Sequence, residues 1–295
     1  MSESKKSTRN ADALAKQLKE SLSKRRFQPW KVVLASLVLC SLLLAGMGWW
    51  MYPRVRAAPL QIVALDAVCT PDETPAARAQ LLAPPEEKDP RLSGQTVVFH
   101  EPPLLLQADA KPREVVVTSD ARGQASAEWS AQAPLAGFLV NYIDANKRNL
   151  QTDRGQIFVW AKDSRLLVVD AEETLVADEV DAKASAALKL AAKDWRIVYL
   201  ALAGDSAHDF RKARGWIIRH QAQLPLGPVL GKSEWPSDLA AARRAALDSL
   251  KSRFTGAIVT VVKSVESARI SQDAGLQAVR LSEGLAWDDV PARLK

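Results

Sequence analysis

The sequence predicts a single transmembrane helix, then an all-β sandwich, then an α/β domain built on a parallel sheet. Residues 32–51 carry no charge over twenty positions, about the length of a helix that crosses a bilayer core. Short apolar runs between turn residues indicate the sandwich, and strands that alternate with helical stretches indicate the α/β domain. The expected segments are a basic cytoplasmic tail, the transmembrane helix, a linker, the sandwich and the α/β domain, at residues 1–31, 32–52, 53–59, 60–163 and 164–295.

The positive charge of the chain is concentrated at its N-terminus. The formal net charge is +6, and residues 1–31 alone hold a surplus of six basic residues, so the remainder is neutral. No basic face is left for nucleic acid, which excludes that class of partner. Basic residues before the apolar segment predict a cytoplasmic N-terminus, a single pass through the cell membrane and extracytoplasmic C-terminal domains. A cleaved signal peptide is the competing interpretation of the apolar segment.

Seven apolar runs of strand length predict the sandwich. The segments Leu92-Ser-Gly-Gln-Thr-Val-Val-Phe99 and Thr118-Ser-Asp-Ala-Arg-Gly-Gln-Ala125 resemble a strand and a hairpin of bacterial immunoglobulin-like domains. In the hairpin, Gly123 supplies the positive φ that such a turn requires. The resemblance implies an immunoglobulin-like sandwich but no particular function. The seven runs are residues 60–68, 76–82, 95–99, 113–118, 124–129, 137–143 and 155–160.

The periodicity changes at residue 164. An apolar run that ends on Asp170 is typical of a buried parallel strand that carries a carboxylate to the ligand-binding edge of a sheet. Alternating strands and helices predict right-handed crossovers and one compact domain. The expected strands are 166–169, 196–202, 257–262 and 277–281, and the expected helices are 182–194, 207–221, 237–254 and 264–273.

A motif in this part of the chain resembles that of a known family. Asp170-Ala-Glu-Glu-Thr-Leu175 is similar to the D-x-D-x-T motif of the haloacid dehalogenase-like (HAD) phosphohydrolases, with Glu172 in place of the second aspartate. The segments 155–170 and 210–217 are similar to the lipin-related, phosphatidate-phosphatase-like branch. The resemblance spans most of residues 155–295. It implies a Rossmannoid HAD-like domain without a cap.

The resemblance also implies roles for individual residues. Asp170 corresponds to the nucleophile that forms an aspartyl-phosphate and binds Mg²⁺, and Glu172 corresponds to the general acid/base. Thr174 belongs to the phosphate-binding part of the motif. Arg243, or Lys251 as an alternative, takes the place of the lysine that neutralises the transferred phosphoryl group.

Besides Glu172 and Arg243, two positions depart from the family motifs. Ala201 stands where a serine or threonine should donate a hydrogen bond to the phosphoryl group, and losing such a donor costs roughly 10²–10³ in rate. Ser267 stands where a metal-binding aspartate belongs, and Glu266 is a substitute only if the loop shifts. Lys263 adds a positive charge close to this position.

These departures favour a catalytically degenerate phosphatase scaffold, or pseudoenzyme, displayed at the membrane through residues 32–52. Such a scaffold is expected to bind a phosphorylated ligand, a lipid headgroup or a protein partner. The alternative is a weakly active, Mg²⁺-dependent phosphohydrolase that uses Asp170 and Glu172. A third class, a purely structural envelope protein, needs neither site.

Overall fold

A computed structural model describes most of the C-terminal part of the chain and some helical residues nearer the N-terminus. The chain divides into two compact units, residues 1–58 and 59–295. The described residues are 15–17, 19–20, 33, 36–43, 46–47, 60–83, 90–102, 113–129, 134–143, 149–202, 207–231 and 238–294.

The expected transmembrane helix is contradicted. Residues 33, 36–43 and 46–47 are helical, but no helix among the described residues is long and apolar enough to cross a membrane. The prediction of a single-pass protein at the cell membrane is corrected accordingly. The rest of residues 32–52, the whole linker at 53–59 and most of the basic tail lie outside the described residues.

Eight strands open the second unit and form two sheets. They are β1 (Gln61–Leu65), β2 (Ala67–Cys69), β3 (Ala76–Leu82), β4 (Thr96–His100), β5 (Glu114–Thr118), β6 (Gln124–Glu128), β7 (Leu135–Ile143) and β8 (Asn149–Val159). The first sheet has the order β1-β3-β6 and is antiparallel. The second has the order β2-β8-β7-β4-β5, and only its β2–β8 pair is parallel. A 3₁₀ helix at Pro90–Leu92 precedes β4.

The turn between β5 and β6 needs the glycine that the sequence indicated. Gly123 has a φ of +78°, a conformation that side chains with a Cβ rarely adopt. A Cβ at this position would lie 2.8 Å from the carbonyl oxygen of Leu81. The backbone N–H of Leu81 also donates to the Gly123 carbonyl over 2.8 Å, which fixes the turn against β3.

Five parallel strands form the third sheet, in the order β11-β10-β9-β12-β13. They are β9 (Leu166–Asp170), β10 (Arg196–Ala201), β11 (Val229–Gly231), β12 (Ile258–Val262) and β13 (Gln277–Arg280). The helices are α1 (Ala171–Thr174), α2 (Ala182–Ala191), α3 (Ala207–Arg219), α4 (Leu239–Arg253), α5 (Val265–Asp273) and α6 (Val290–Arg293), with a 3₁₀ helix at Trp287–Asp289.

Side-chain caps explain where four of these helices begin. Asp170, Asp181, Asp238 and Ser264 each precede a helix, and each side chain accepts a hydrogen bond from a backbone N–H of the first turn. Such caps satisfy donors that have no partner inside the helix. The helix starts expected at residues 182, 237 and 264 lie within two residues of the observed ones.

A buried ion cluster joins the antiparallel and parallel sheets. Asp66 lies between β1 and β2, where the chain leaves the first sheet and enters the second. The Arg214 guanidinium donates to Asp66 over 3.2 Å and to Asp153 over 3.1 Å. Asp66 also accepts the backbone N–H of Gln156 in β8 and of Val229 in β11. The Asp66 carboxylate therefore contacts the second sheet, the parallel sheet and helix α3.

The expected fold class, an immunoglobulin-like sandwich followed by a separate HAD-like domain, is wrong for this structure. Residues 59–295 form one compact mixed α/β unit with three sheets. Val63 of β1 shares a hydrophobic cluster with Val169 of the parallel sheet. Val68 of β2 shares another with Phe254 after α4. The sandwich strands were expected to bury their apolar faces among themselves, but part of those faces completes the core of the α/β part.

Candidate functional site

The candidate site lies at the carboxyl end of β9, the central strand of the parallel sheet. All five residues of Leu166–Asp170 are buried, as expected of a strand covered on both faces. β10 and β12 flank it on either side. The strand therefore delivers the Asp170 carboxylate to the sheet edge at which open α/β folds usually bind ligands.

A buried arginine on α4 occupies this edge. The Arg243 guanidinium forms an ion pair with the Asp170 carboxylate, and the two side chains are 3% and 1% exposed. The same Nη2 group donates to Glu173 Oε1 over 3.1 Å, and Nη1 donates to the Ser267 hydroxyl. One buried guanidinium thus contacts a buried carboxylate, a partly exposed carboxylate and a buried hydroxyl. We call Asp170, Glu173, Arg243 and Ser267 the Arg243 cluster.

The start of α5 closes the cluster from the opposite side. Glu173 Oε2 accepts the backbone N–H groups of Lys263 and Ser264, each over 3.0 Å. The Ser267 hydroxyl lies 2.5 Å from Glu173 Oε1, and the Ser264 hydroxyl lies 2.6 Å from that of Ser267. A carboxylate at a helix N-terminus is favoured by the unpaired N–H groups and by the helix dipole. The negative charge of Glu173 is therefore compensated by backbone N–H groups as well as by Arg243.

The two carboxyl groups respond to this environment in opposite ways. Burial raises the pKa of Asp170, while the charge of Arg243 acts to lower it. Burial also acts to raise the pKa of Glu173, but hydrogen bonds from the Ser264 N–H, the Ser267 hydroxyl and the Lys263 N–H outweigh it. The net result is a lowered pKa for Glu173. Glu173 is thus held as a carboxylate by the α5 N-terminus.

Three residues proposed from the sequence meet in this cluster. Asp170, Arg243 and Ser267 are joined by the contacts above. The hydroxyl of Thr174 donates to the backbone carbonyl of Asp170 over 2.5 Å, so it serves the turn of α1. Glu172 is partly exposed on the same short helix. The acid that enters the cluster is its neighbour Glu173.

The other proposed residues take no part in the hydrogen bonds described for the Arg243 cluster. Ala201 is buried at the end of β10 and presents a methyl group where a donor was sought. Glu266 is exposed in the first turn of α5. Lys251 donates to the carbonyl of Ala274 over 2.8 Å and lines a cavity at the opposite edge of the sheet. The structure therefore does not bring Lys251 to Asp170.

The described part of the chain offers no set of metal ligands at this edge. No group of three or more histidine, cysteine, aspartate or glutamate side chains is arranged to hold a metal ion among those residues. In the cluster itself, the guanidinium occupies the Asp170 oxygen that a cation would need. A Mg²⁺ ion at Asp170 would lie against a fixed positive charge, which does not fit.

The arrangement is suited to holding charge rather than to phosphoryl transfer. A nucleophilic carboxylate must reach the phosphorus atom, yet one Asp170 oxygen accepts the Glu173 N–H and the other faces Arg243. Arg243 is itself buried, so it cannot neutralise a phosphoryl group approaching from solvent. Catalysis at Asp170 requires this guanidinium to move first.

Sequence reasoning missed Glu173, although a signal for it was present. Asp170 and Glu173 are spaced as an N-cap residue and the third residue of a helix, the D-x-x-E form of a capping box. The Asp170 side chain does accept the Glu173 N–H over 3.0 Å. The Glu173 side chain instead reaches α5, which lies ninety residues further along the chain. Only the tertiary fold supplies that partner.

Comparisons with known proteins assign no family to the chain. No protein-family model matches it, and no curated protein matches it. A polysaccharide deacetylase from Bacillus cereus is 9% identical over 76% of this chain and 69% of its own, with a TM-score of 0.23. A β-glucuronidase from Parabacteroides merdae is 10% identical over 68% of this chain and 35% of its own, with a TM-score of 0.26. At such TM-scores these likenesses carry no argument about fold or function.

Proposed function

We propose that this protein is a non-catalytic binding module in which the phosphatase-like aspartate has become part of a structural ion cluster. The observation that carries the proposal is the buried pair between Asp170 and Arg243. A guanidinium in that position permanently supplies the positive charge that a metal ion would supply beside the aspartate of an active enzyme. The module acts by binding a ligand or partner elsewhere on its surface.

The lack of a hydrogen-bond donor at residue 201 and of a metal-binding aspartate at residue 267 supports the same proposal. Ala201 places a methyl group at the end of β10, and Ser267 is engaged with Arg243 and Glu173. Loss of a preorganised donor alone costs roughly 10²–10³ in rate. In addition, Arg243 blocks the approach of a phosphoryl group to the Asp170 carboxylate. We therefore expect little acceleration of phosphoryl transfer at this site.

The alternative is a weakly active, Mg²⁺-dependent phosphohydrolase. The position of Asp170 at the carboxyl end of the central parallel strand favours it, because catalytic groups of α/β enzymes collect at that edge. Glu172 would then act as the general acid/base. This function needs Arg243 to withdraw from Asp170 when substrate binds.

Hydrolysis of an aryl phosphate by the full chain with Mg²⁺ tests the proposal. The comparison variant is Asp170→Asn, which keeps an acceptor for the Glu173 N–H. The matched control is Asp181→Asn, since Asp181 is likewise a helix N-cap and accepts the Lys183 N–H over 2.9 Å. We expect equal, background hydrolysis by all three folded proteins. Mg²⁺-dependent activity that disappears only in Asp170→Asn would establish the alternative.

A further inference from the structure

A second charged region lies at the amino edge of the parallel sheet, across the sheet from Asp170. It is an open cavity of about 630 Å³, bordered by residues at the starts of β9, β12 and β13. Small-molecule sites typically have volumes of about 300–1,000 Å³. Its charged and polar lining residues are Arg165, Lys251, Thr255 and Gln277, and its aromatic ones are Trp195 and Phe254.

Two cations face this cavity, and their positions are fixed. Lys251 Nζ donates to the carbonyl of Ala274, which ends α5, over 2.8 Å. Arg165 Nη2 donates to the carbonyl of Leu294, which ends α6, over 2.7 Å. The Arg165 guanidinium also lies 4.0 Å from the centroid of the Trp195 ring. Both charged groups are thus oriented by contacts with the ends of helices, and Arg165 also by the Trp195 ring.

These contacts leave most of the donor capacity of both cations unused. An ammonium has three N–H donors and a guanidinium has five, and each cation gives one hydrogen bond to a helix-terminal carbonyl. Neither forms an ion pair with a carboxylate of the described residues. The hydrogen bonds to the helix-terminal carbonyls therefore explain how the two side chains are oriented. They leave the other N–H donors of Arg165 and Lys251 available to a ligand.

The described lining of the cavity contains no acidic side chain. The charge presented to a bound molecule is therefore that of Arg165 and Lys251 together. A guanidinium matches the planar fork of a carboxylate or phosphate, and an ammonium binds an anionic oxygen as a point charge. The Trp195 and Phe254 side chains supply apolar surface beside these groups. The chemistry of the lining thus fits an organic molecule with two negative charges.

We propose that the amino-edge cavity binds a small organic dianion through Arg165 and Lys251. The inference rests on the proposed binding function, for which it names a site and a class of ligand. Dicarboxylates and phosphate monoesters share the required chemistry. The cavity is separate from the Arg243 cluster, so binding there does not depend on the ionisation of Asp170.

Titration calorimetry on the full chain tests the site with glutarate, glycerol phosphate and uncharged glycerol. We expect heat of binding from at least one dianion and none from glycerol. Lys251→Gln and Arg165→Gln should each weaken binding roughly tenfold or more, the effect of losing one charge-assisted hydrogen bond. The matched control is Lys189→Gln, because Lys189 also donates to a carbonyl, that of Ala222 over 3.4 Å, but lies on α2.

Two further variants separate a loss of binding from a loss of folding. Lys251→Arg retains a donor for the Ala274 carbonyl and the positive charge, so it should restore most of the affinity. Arg244→Gln, at an exposed position on the same helix, should bind as the natural protein does. Absence of binding by both dianions, or unchanged affinity in Lys251→Gln, would overturn the proposed site. Neither result bears on hydrolysis at Asp170, so the two proposals fail independently.

Discussion

Replacement of Arg243 by glutamine should be the most damaging single change at the carboxyl edge of the sheet. The guanidinium contacts Asp170, Glu173 and Ser267 while only 3% exposed, so its loss leaves two acids without their buried cation. Removing one partner of a buried ion pair costs about 3–5 kcal/mol. With a urea m-value of about 1–3 kcal/mol/M, the unfolding midpoint should fall by roughly 1–5 M.

The assay is urea unfolding of the full chain followed by circular dichroism, with Arg244→Gln as the matched control. Arg244 is the next residue on α4, is 45% exposed and pairs with Asp248 over 2.9 Å. Such an exposed pair is worth about 0–1 kcal/mol, so the control midpoint should barely change. The two variants remove the same chemical group from the same helix. Their difference therefore measures burial and pairing.

A double-mutant cycle identifies the partner. Asp170→Asn removes the buried charge that Arg243→Gln leaves uncompensated, so the double variant should be more stable than the sum of the single effects predicts. We expect a coupling free energy within about 0.5–3 kcal/mol, the range for residues in one network. The reasoning fails if the two changes are additive, or if Arg243→Gln costs no more than Arg244→Gln.

Three further perturbations probe other parts of the unit. Arg214→Leu should cost about 3–5 kcal/mol in urea unfolding, because it leaves the buried Asp66 and the partly exposed Asp153 without their shared cation. Gly215→Ala beside it should be neutral or stabilising, since nothing lies within 4 Å of the added Cβ. Gly123→Ala should lower the free energy of unfolding by about 1–3 kcal/mol through its positive φ and the nearby Leu81 carbonyl. The pKa of Glu173 is lowered from its ordinary 4.5. The ionised Glu173 therefore stabilises the folded state fully above pH 4.5, and this contribution is lost as the pH falls through the folded-state pKa. Glu173→Gln should therefore flatten the acid limb of a stability–pH curve, and an unchanged limb would contradict the proposed hydrogen bonding.

Local elements could be read from the sequence because their causes are local. The apolar run before Asp170 forms β9, and the helix expected from residue 264 begins at Val265 with Ser264 as its cap. β11 was missed because Val229–Gly231 is only three residues long and its pairing with β10 is set by the fold. Such a short run carries no periodicity by which to recognise a strand.

The assembly of these elements depends on contacts between distant residues. One apolar run, residues 60–68, becomes two strands in different sheets because Asp66 interrupts it. The partner that makes this buried aspartate tolerable is Arg214, which lies 148 positions away. A lone acid in an apolar run predicts a turn or an exposed side chain equally well. Without its partner, the division of the strand between two sheets cannot be inferred.

The sequence named groups that meet in one cluster with Asp170 but could not decide what they do there. Motif spacing put Arg243 and Ser267 beside the β9 edge, where the structure also has them. A catalytic arginine and a structural one have the same spacing, and they differ in burial and in which acceptors they already satisfy. Those properties follow from the docking of α4 and α5. Motif comparison alone therefore left the choice between enzyme and pseudoenzyme open.

Charge compensation separates the two edges of the parallel sheet. At the carboxyl edge, Arg243 forms ion pairs with two carboxylates of the protein itself. The charge of this arginine is therefore largely neutralised and attracts an anionic ligand weakly. At the amino edge, the charged groups of Arg165 and Lys251 contact carbonyl oxygens and an aromatic ring but no carboxylate of the described residues, so the described part of the chain does not neutralise them. Electrostatic recognition requires charge that the protein has not itself neutralised. The edge that carries the phosphatase-like motif is therefore the less suited of the two to binding an anion.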